Sequence, residues 1–124
     1  MRLIVYVALG GMAGTLARYG LQGLVQQPTS TFPWGTLLVN LSGSFALGFL
    51  MRYLLGSTVA TPEIRAALTV GFCGAFTTMS SFSYEAMTLL NHGQYWRAVG
   101  YGLASVGGSV MAVFAGTITG QKLL

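Results

Sequence analysis

The stretch Gly71-Phe72-Cys73-Gly74-Ala75-Phe76-Thr77-Thr78-Met79-Ser80-Ser81-Phe82-Ser83-Tyr84-Glu85 opens on glycine, and six hydroxyl side chains crowd positions 77 to 84. It lies in the middle of an apolar segment, residues 62–90, long enough to cross a bilayer. So many polar groups near mid-bilayer depth are costly unless they bond within the protein. Thr and Ser can bond backbone groups that a helix break sets free. The stretch therefore predicts a discontinuous helix, whose freed carbonyls suit a cation and whose freed N–H groups suit an anion. The alternative is a continuous helix whose hydroxyls bond back to their own turn.

The rest of the chain agrees with a membrane setting. Of 124 residues only eight are charged, and 53% are hydrophobic. The mean hydropathy is +0.67. A soluble domain carries about 25% charged residues, and a disordered chain needs low hydrophobicity, so both classes are excluded. At ~20 residues per span, the length allows four or five crossings. Four apolar segments are found, at about 3–25, 33–55, 62–90 and 95–119, which predict a single all-α transmembrane domain over 1–124. Met1-Arg2 followed by Leu3 to Leu9 resembles a signal-peptide start, but the apolar run continues to about Leu24 and is too long for one. It reads as the first helix of the mature protein. Pro33 is expected in the first turn of the second helix, with Trp34 at the interface. Pro62 and Glu63 open the third at its positive dipole end. Asn91-His92-Gly93-Gln94 makes the last turn, before Tyr95 and Trp96 at the next interface.

The formal charge is +4, but the basic residues stand singly at 2, 18, 52, 65, 97 and 122. No cluster exists to neutralise successive phosphates, so nucleic acid is not an expected partner. Four crossings place Arg2, Arg52, Arg65 and Lys122 on one side, against Arg97 and Arg18 towards the other. This bias is too weak to fix an orientation and is compatible with insertion both ways. The single cysteine, Cys73, excludes an internal disulfide or a Cys-based metal site, and reads as a small buried hydrophobe. Glu85 lies near a segment end and His92 in a solvated turn, so there is no acid pair or His relay to couple protons. No enzyme site can be assembled, and the chain is not expected to be an enzyme.

Small residues recur at every fourth position of the last segment: Gly100, Ala104, Gly108, Ala112, Gly116 and Gly120. Gly10 and Gly14 do the same in the first. Such stripes admit a partner helix, either within the chain or in a second subunit. Thr36, Asn40, Ser44 and Gly48 share one face of the second helix. Asn40 either glues two helices by a hydrogen bond or belongs to a polar track for a permeating species. Arg18 either snorkels to the interface or draws anions towards a vestibule. Hydroxyl and amide donors with no mid-membrane acid favour a small anion. Four helices hardly enclose a pore alone, so an oligomer is expected.

Gly35-Thr36-Leu37-Leu38-Val39-Asn40, together with the 71–85 stretch, resembles the hallmarks of the Fluc (CrcB) fluoride channel family. Gly10-Gly11-Met12-Ala13-Gly14-Thr15-Leu16-Ala17-Arg18-Tyr19 and Gly108-Ser109 are further matches, and the resemblance covers essentially the whole chain. It implies a multi-pass protein of the bacterial inner membrane that passively exports fluoride and lowers its toxicity. It also implies an antiparallel, dual-topology homodimer with two pores. A structural Na⁺ at the dimer centre would be held by main-chain carbonyls, for which the matching positions are Gly74 and Thr77. The fluoride pathway would involve Asn40, Ser109, Phe82 and Met79, a polar track at Ser80 and Ser81, and Tyr101, Thr36, Glu85 and Arg18 nearby.

One position departs from the family pattern. The third-helix motif usually carries two phenylalanines whose positive ring edges can face an anion. Here Phe82 fills the second place and Met79 the first, so one aromatic station is replaced by a flexible thioether. Two other classes fit the sequence less well. A small multidrug-type transporter would need an acid in the first helix, and none occurs between Met1 and Pro62. A non-transporting assembly subunit explains the small-residue stripes but not the central hydroxyls beside Asn40.

Overall fold

The computed structural model describes all 124 residues, and they form four helical crossings with no strand. Helix α1 is Arg2–Val25 and α2 is Trp34–Gly56. The third crossing is divided into α3, residues 62–76, and α4, Met79–Asn91. The last helix, α5, is Tyr95–Lys122, three residues longer than the 95–119 segment. Helices α1, α2 and α5 are each long and apolar enough to cross a membrane. Only 18 of the 124 residues are buried, while Leu9, Met12, Leu16, Met111 and Phe114 point outwards. Such an apolar exterior fits hydrocarbon rather than water.

Glycine decides how closely the helices approach. In α1 the only buried residue is Gly14. A Cβ there would collide with the Phe72 carbonyl, and one at Gly10 would collide with that of Ala67. The backbone of α1 therefore lies directly on α3, which offers Gly71 in return. Helices α2 and α5 meet the same way, with Gly48 against the Val113 carbonyl and Gly116 against that of Phe45. The every-fourth stripe of α5 is thus used within the chain at Gly108, Gly116 and Gly120, whereas Gly100 has nothing within 4 Å. Close backbone contact supplies the dispersion that replaces a hydrophobic drive in lipid.

Helix α3 begins at Pro62, with the Thr61 hydroxyl accepting from the Ile64 N–H at 3.3 Å. It then widens to a π-helix over Ala67–Cys73 before a last α-turn, Gly74–Phe76. Thr77 (φ −82°, ψ 154°) and Thr78 (φ −146°, ψ 112°) are extended, so the crossing is discontinuous as expected. The glycines are not the break. Gly71 and Gly74 are both helical, and the chain leaves the helix three residues after Gly74. Thr78 enforces the restart, because its hydroxyl accepts from the Ser81 N–H at 3.2 Å as the N-cap of α4. At the other end of α4, the Gln94 N–H bonds the Leu89 carbonyl and the Gly93 N–H bonds that of Leu90. This Schellman stop needs the positive φ of Gly93 (73°). Pro33 is the N-cap of α2 rather than part of its first turn.

Candidate functional site

The break is clamped from the side by Asn40, in the second turn of α2. The Thr78 N–H donates to Asn40 Oδ1 at 2.8 Å, and Asn40 Nδ2 donates to the Thr78 carbonyl at 3.1 Å. One side chain thus satisfies both backbone groups of an extended residue at a depth where water cannot. The pairing also fixes which way the amide points, since the N–H needs an oxygen and the carbonyl a nitrogen. One Nδ2 hydrogen remains uncommitted by this pair.

The clamp has a consequence for two carbonyls. In a continuous helix the Gly74 carbonyl would accept from the Thr78 N–H and the Thr77 carbonyl from the Ser81 N–H. Here Thr78 donates to Asn40, and Ser81 donates to the Thr78 hydroxyl. Both carbonyls thereby lose their helical donors. Between them, the Ala75 carbonyl accepts from Arg18 Nε at 3.1 Å. Arg18 is therefore directed at the break from α1 and lines neither of the two cavities described next.

Beside the break runs a groove of about 410 Å³. Asn40, Ser44, Met79, Phe82, Ser105 and Ser109 are among its walls, and no charged side chain is. Ser105 is 6% exposed, and its hydroxyl is buried without a partner. Such a group is costly unless something it can bond occupies the groove. Met79 and Phe82 lie three residues apart in the first turn of α4, on neighbouring faces. Phe82 packs on Tyr101 with ring centroids 5.0 Å apart. Met79, Val106 and Val110 are each more than half exposed, so the groove opens at the surface of the chain.

A second cavity of about 260 Å³ lies at the end bearing the 26–33 and 91–94 connections. Its floor is a bonded chain of polar groups. Gln22 Nε2 donates to the Thr36 hydroxyl at 3.0 Å, which donates to Glu85 Oε1 at 2.8 Å, while the Tyr101 hydroxyl donates to Glu85 Oε2 at 2.9 Å. Tyr101 is fully buried and lines neither cavity; its hydroxyl bonds Glu85 of the vestibule and its ring packs on Phe82 of the groove. It stands between the two cavities. His92 is exposed in its turn and lines the vestibule.

The structure brings Asn40, Met79, Phe82 and Ser109 together at the groove, with Gly74 and Thr77 on its wall, and Thr36 and Glu85 at the vestibule, with Tyr101 bonded to Glu85 behind it. Ser80 and Ser81 line neither cavity. Their hydroxyls gather instead about Thr78 Oγ1, at 3.4 and 3.1 Å, and belong to the α4 cap. Two participants escaped the sequence reading. Ser105 was signalled by its fourfold register with Tyr101 and Ser109, and Gln22 only by being polar within an apolar helix.

The chain matches the family model "CrcB-like protein, Camphor Resistance (CrcB)" over residues 5–117. It is 47% identical over 118 residues to the fluoride-specific ion channel FluC of Rhizobium meliloti, covering 94% of each chain. To the protein of the same name in Geobacter sulfurreducens it is 41% identical over 124 residues, 99% of this chain and 100% of the relative. The protein of that name in Koribacter versatilis is 42% identical over 106 residues, 85% of this chain and 84% of the relative.

Proposed function

The chain belongs to the CrcB family, and from this we propose that it is a passive, fluoride-selective channel of the bacterial inner membrane. It crosses that membrane several times and carries fluoride out of the cell. The observation that carries the reading is the groove beside the Asn40–Thr78 clamp. It is uncharged, lies at mid-length of the helices and is walled by hydroxyls, an amide and an aromatic ring. These are hydrogen-bond donors and a positive ring edge, which suit a small, hard anion stripped of water.

In this account fluoride enters the vestibule, passes the Thr36–Glu85–Tyr101 chain, and reaches the edge of Phe82. Ser105, the second Nδ2 hydrogen of Asn40 and Ser109 then replace its lost hydration. Met79 is a softer neighbour than a second phenylalanine and makes that station weaker. Ser80 and Ser81 hold the α4 cap in place, and Arg18 steadies the break through the Ala75 carbonyl.

A groove open along one side cannot hold a dehydrated anion against lipid. We propose that a second copy closes it, in an antiparallel, dual-topology homodimer with two pores. The exposed Met79, Val106 and Val110 rim supports this reading, as does the weak charge bias between the two ends. The Gly74 and Thr77 carbonyls fit a hard monovalent cation, since their helical donors are engaged elsewhere. Na⁺ held by them at the dimer centre would supply a fixed positive charge between the paired breaks.

Expression in a bacterium that lacks its own fluoride exporter tests the function. Growth in millimolar fluoride should be restored. Full-length protein present in the membrane with no restored growth would count against it.

A further inference from the structure

Arg97 occupies an energetically odd place. It lies in the first turn of α5, where the helix dipole is already positive. No acid sits in that turn, and the N-cap Gln94 provides no side-chain cap. Of the chain's two acids, Glu63 is at the opposite end and Glu85 is engaged by Thr36 and Tyr101. Arg97 Nη1 instead donates to the Thr31 hydroxyl at 2.7 Å. Thr31 is part of the vestibule wall, so the guanidinium is held at the vestibule rim by a neutral partner, with no acid paired to it.

The vestibule otherwise holds one acidic side chain, the Glu85 carboxylate on its floor. An anion approaching that carboxylate alone would be repelled. We propose that Arg97 is the anion-steering residue of the channel, offsetting Glu85 and raising the local fluoride concentration at the mouth. It acts through its field rather than by contact with a bound ion. This inference rests on the channel reading. Because such a field is screened within about 10 Å at 0.1 M salt but reaches about 30 Å at 0.01 M, it has a signature that a structural role lacks.

The test is fluoride efflux from liposomes at subsaturating fluoride, at about 10 mM and about 500 mM total ionic strength. Arg97→Gln is expected to lose about three- to tenfold in rate at low ionic strength and little at high ionic strength. Arg97→Lys should restore the rate. Thr31→Val, which removes the tether but keeps the charge, should cost far less than Arg97→Gln. Thr31→Glu, which neutralises the rim without touching Arg97, should reproduce the salt-dependent loss and stands in if Arg97→Gln fails to assemble. A loss equal at both ionic strengths, or no loss in either neutralising variant, overturns the inference. A wild-type chain that released no fluoride would instead overturn the channel reading itself.

Discussion

Asn40 and Thr78 lie 38 positions apart in the chain and are joined by two hydrogen bonds, 2.8 and 3.1 Å, that satisfy both backbone groups of Thr78. Everything around the groove depends on this pair. It holds the third crossing open and frees the Gly74 carbonyl, while the Thr78 cap frees that of Thr77 and starts the turn of α4 that carries Met79 and Phe82.

Asn40→Ala removes both bonds and leaves a part-buried donor and acceptor unpaired, at a cost of up to about 1–3 kcal/mol each. Fluoride flux is expected to fall by about tenfold or more, and the melting temperature in detergent to drop with it. Flux measured on purified, folded protein decides the matter. An unchanged rate would contradict both the clamp and a pore role for the amide.

At the first aromatic position, Met79→Phe should leave flux equal or raise it, by restoring a second ring edge beside Phe82. Phe82→Ile should reduce it, since the ring also packs on Tyr101. Parallel liposome assays on the two variants read this directly. A Phe82→Ile variant as fast as wild type would remove the ring from the pathway.

Helix contact makes a contrast between glycines. Gly14→Val forces a side chain into the Phe72 carbonyl and should cost about 1–3 kcal/mol as overpacking. Gly100→Ala meets nothing within 4 Å in the chain. It should be neutral, or stabilising by up to about 1 kcal/mol through helix propensity. Thermal unfolding in detergent compares them. Loss of the proposed dimer in Gly100→Ala would place that position at the proposed subunit interface.

Sodium removal probes the carbonyls at the break. Replacing Na⁺ by a bulky organic cation on both sides of the membrane is expected to suppress fluoride flux, and restoring Na⁺ to recover it. Side-chain deletion cannot perform this test, because the ligands are main-chain atoms. Full activity without Na⁺ would leave the Gly74 and Thr77 carbonyls without the assigned cation.

Much of this architecture was legible before any coordinates. Four apolar segments gave four crossings, because mid-bilayer backbone has no alternative to the helix except where protein covers it. Hydroxyls clustered at 77–84 announced a break. Its position was not legible, because Asn40 sets it from another helix while the nearby glycines serve packing against α1. The surroundings of Ser80 and Ser81 were hidden for the same reason. Their place depends on where α4 restarts, and the Thr78 cap draws them in. The π-turn over Ala67–Cys73 has no residue type that marks it. Ser105 was overlooked because Gly100, Ala104 and Gly108 beside it read as a packing stripe, although its own register with Tyr101 and Ser109 runs along the groove.

Selective efflux is the most direct test of a fluoride pore. Purified protein reconstituted into liposomes is loaded with fluoride or with chloride, and efflux is followed with ion-selective electrodes after the counter-charge is released by a potassium ionophore. Rapid loss of fluoride with no loss of chloride above that of empty liposomes is the predicted result. Equal release of both ions, or of neither from a sample verified as folded and dimeric, would contradict a fluoride-selective pore beside the Asn40–Thr78 clamp.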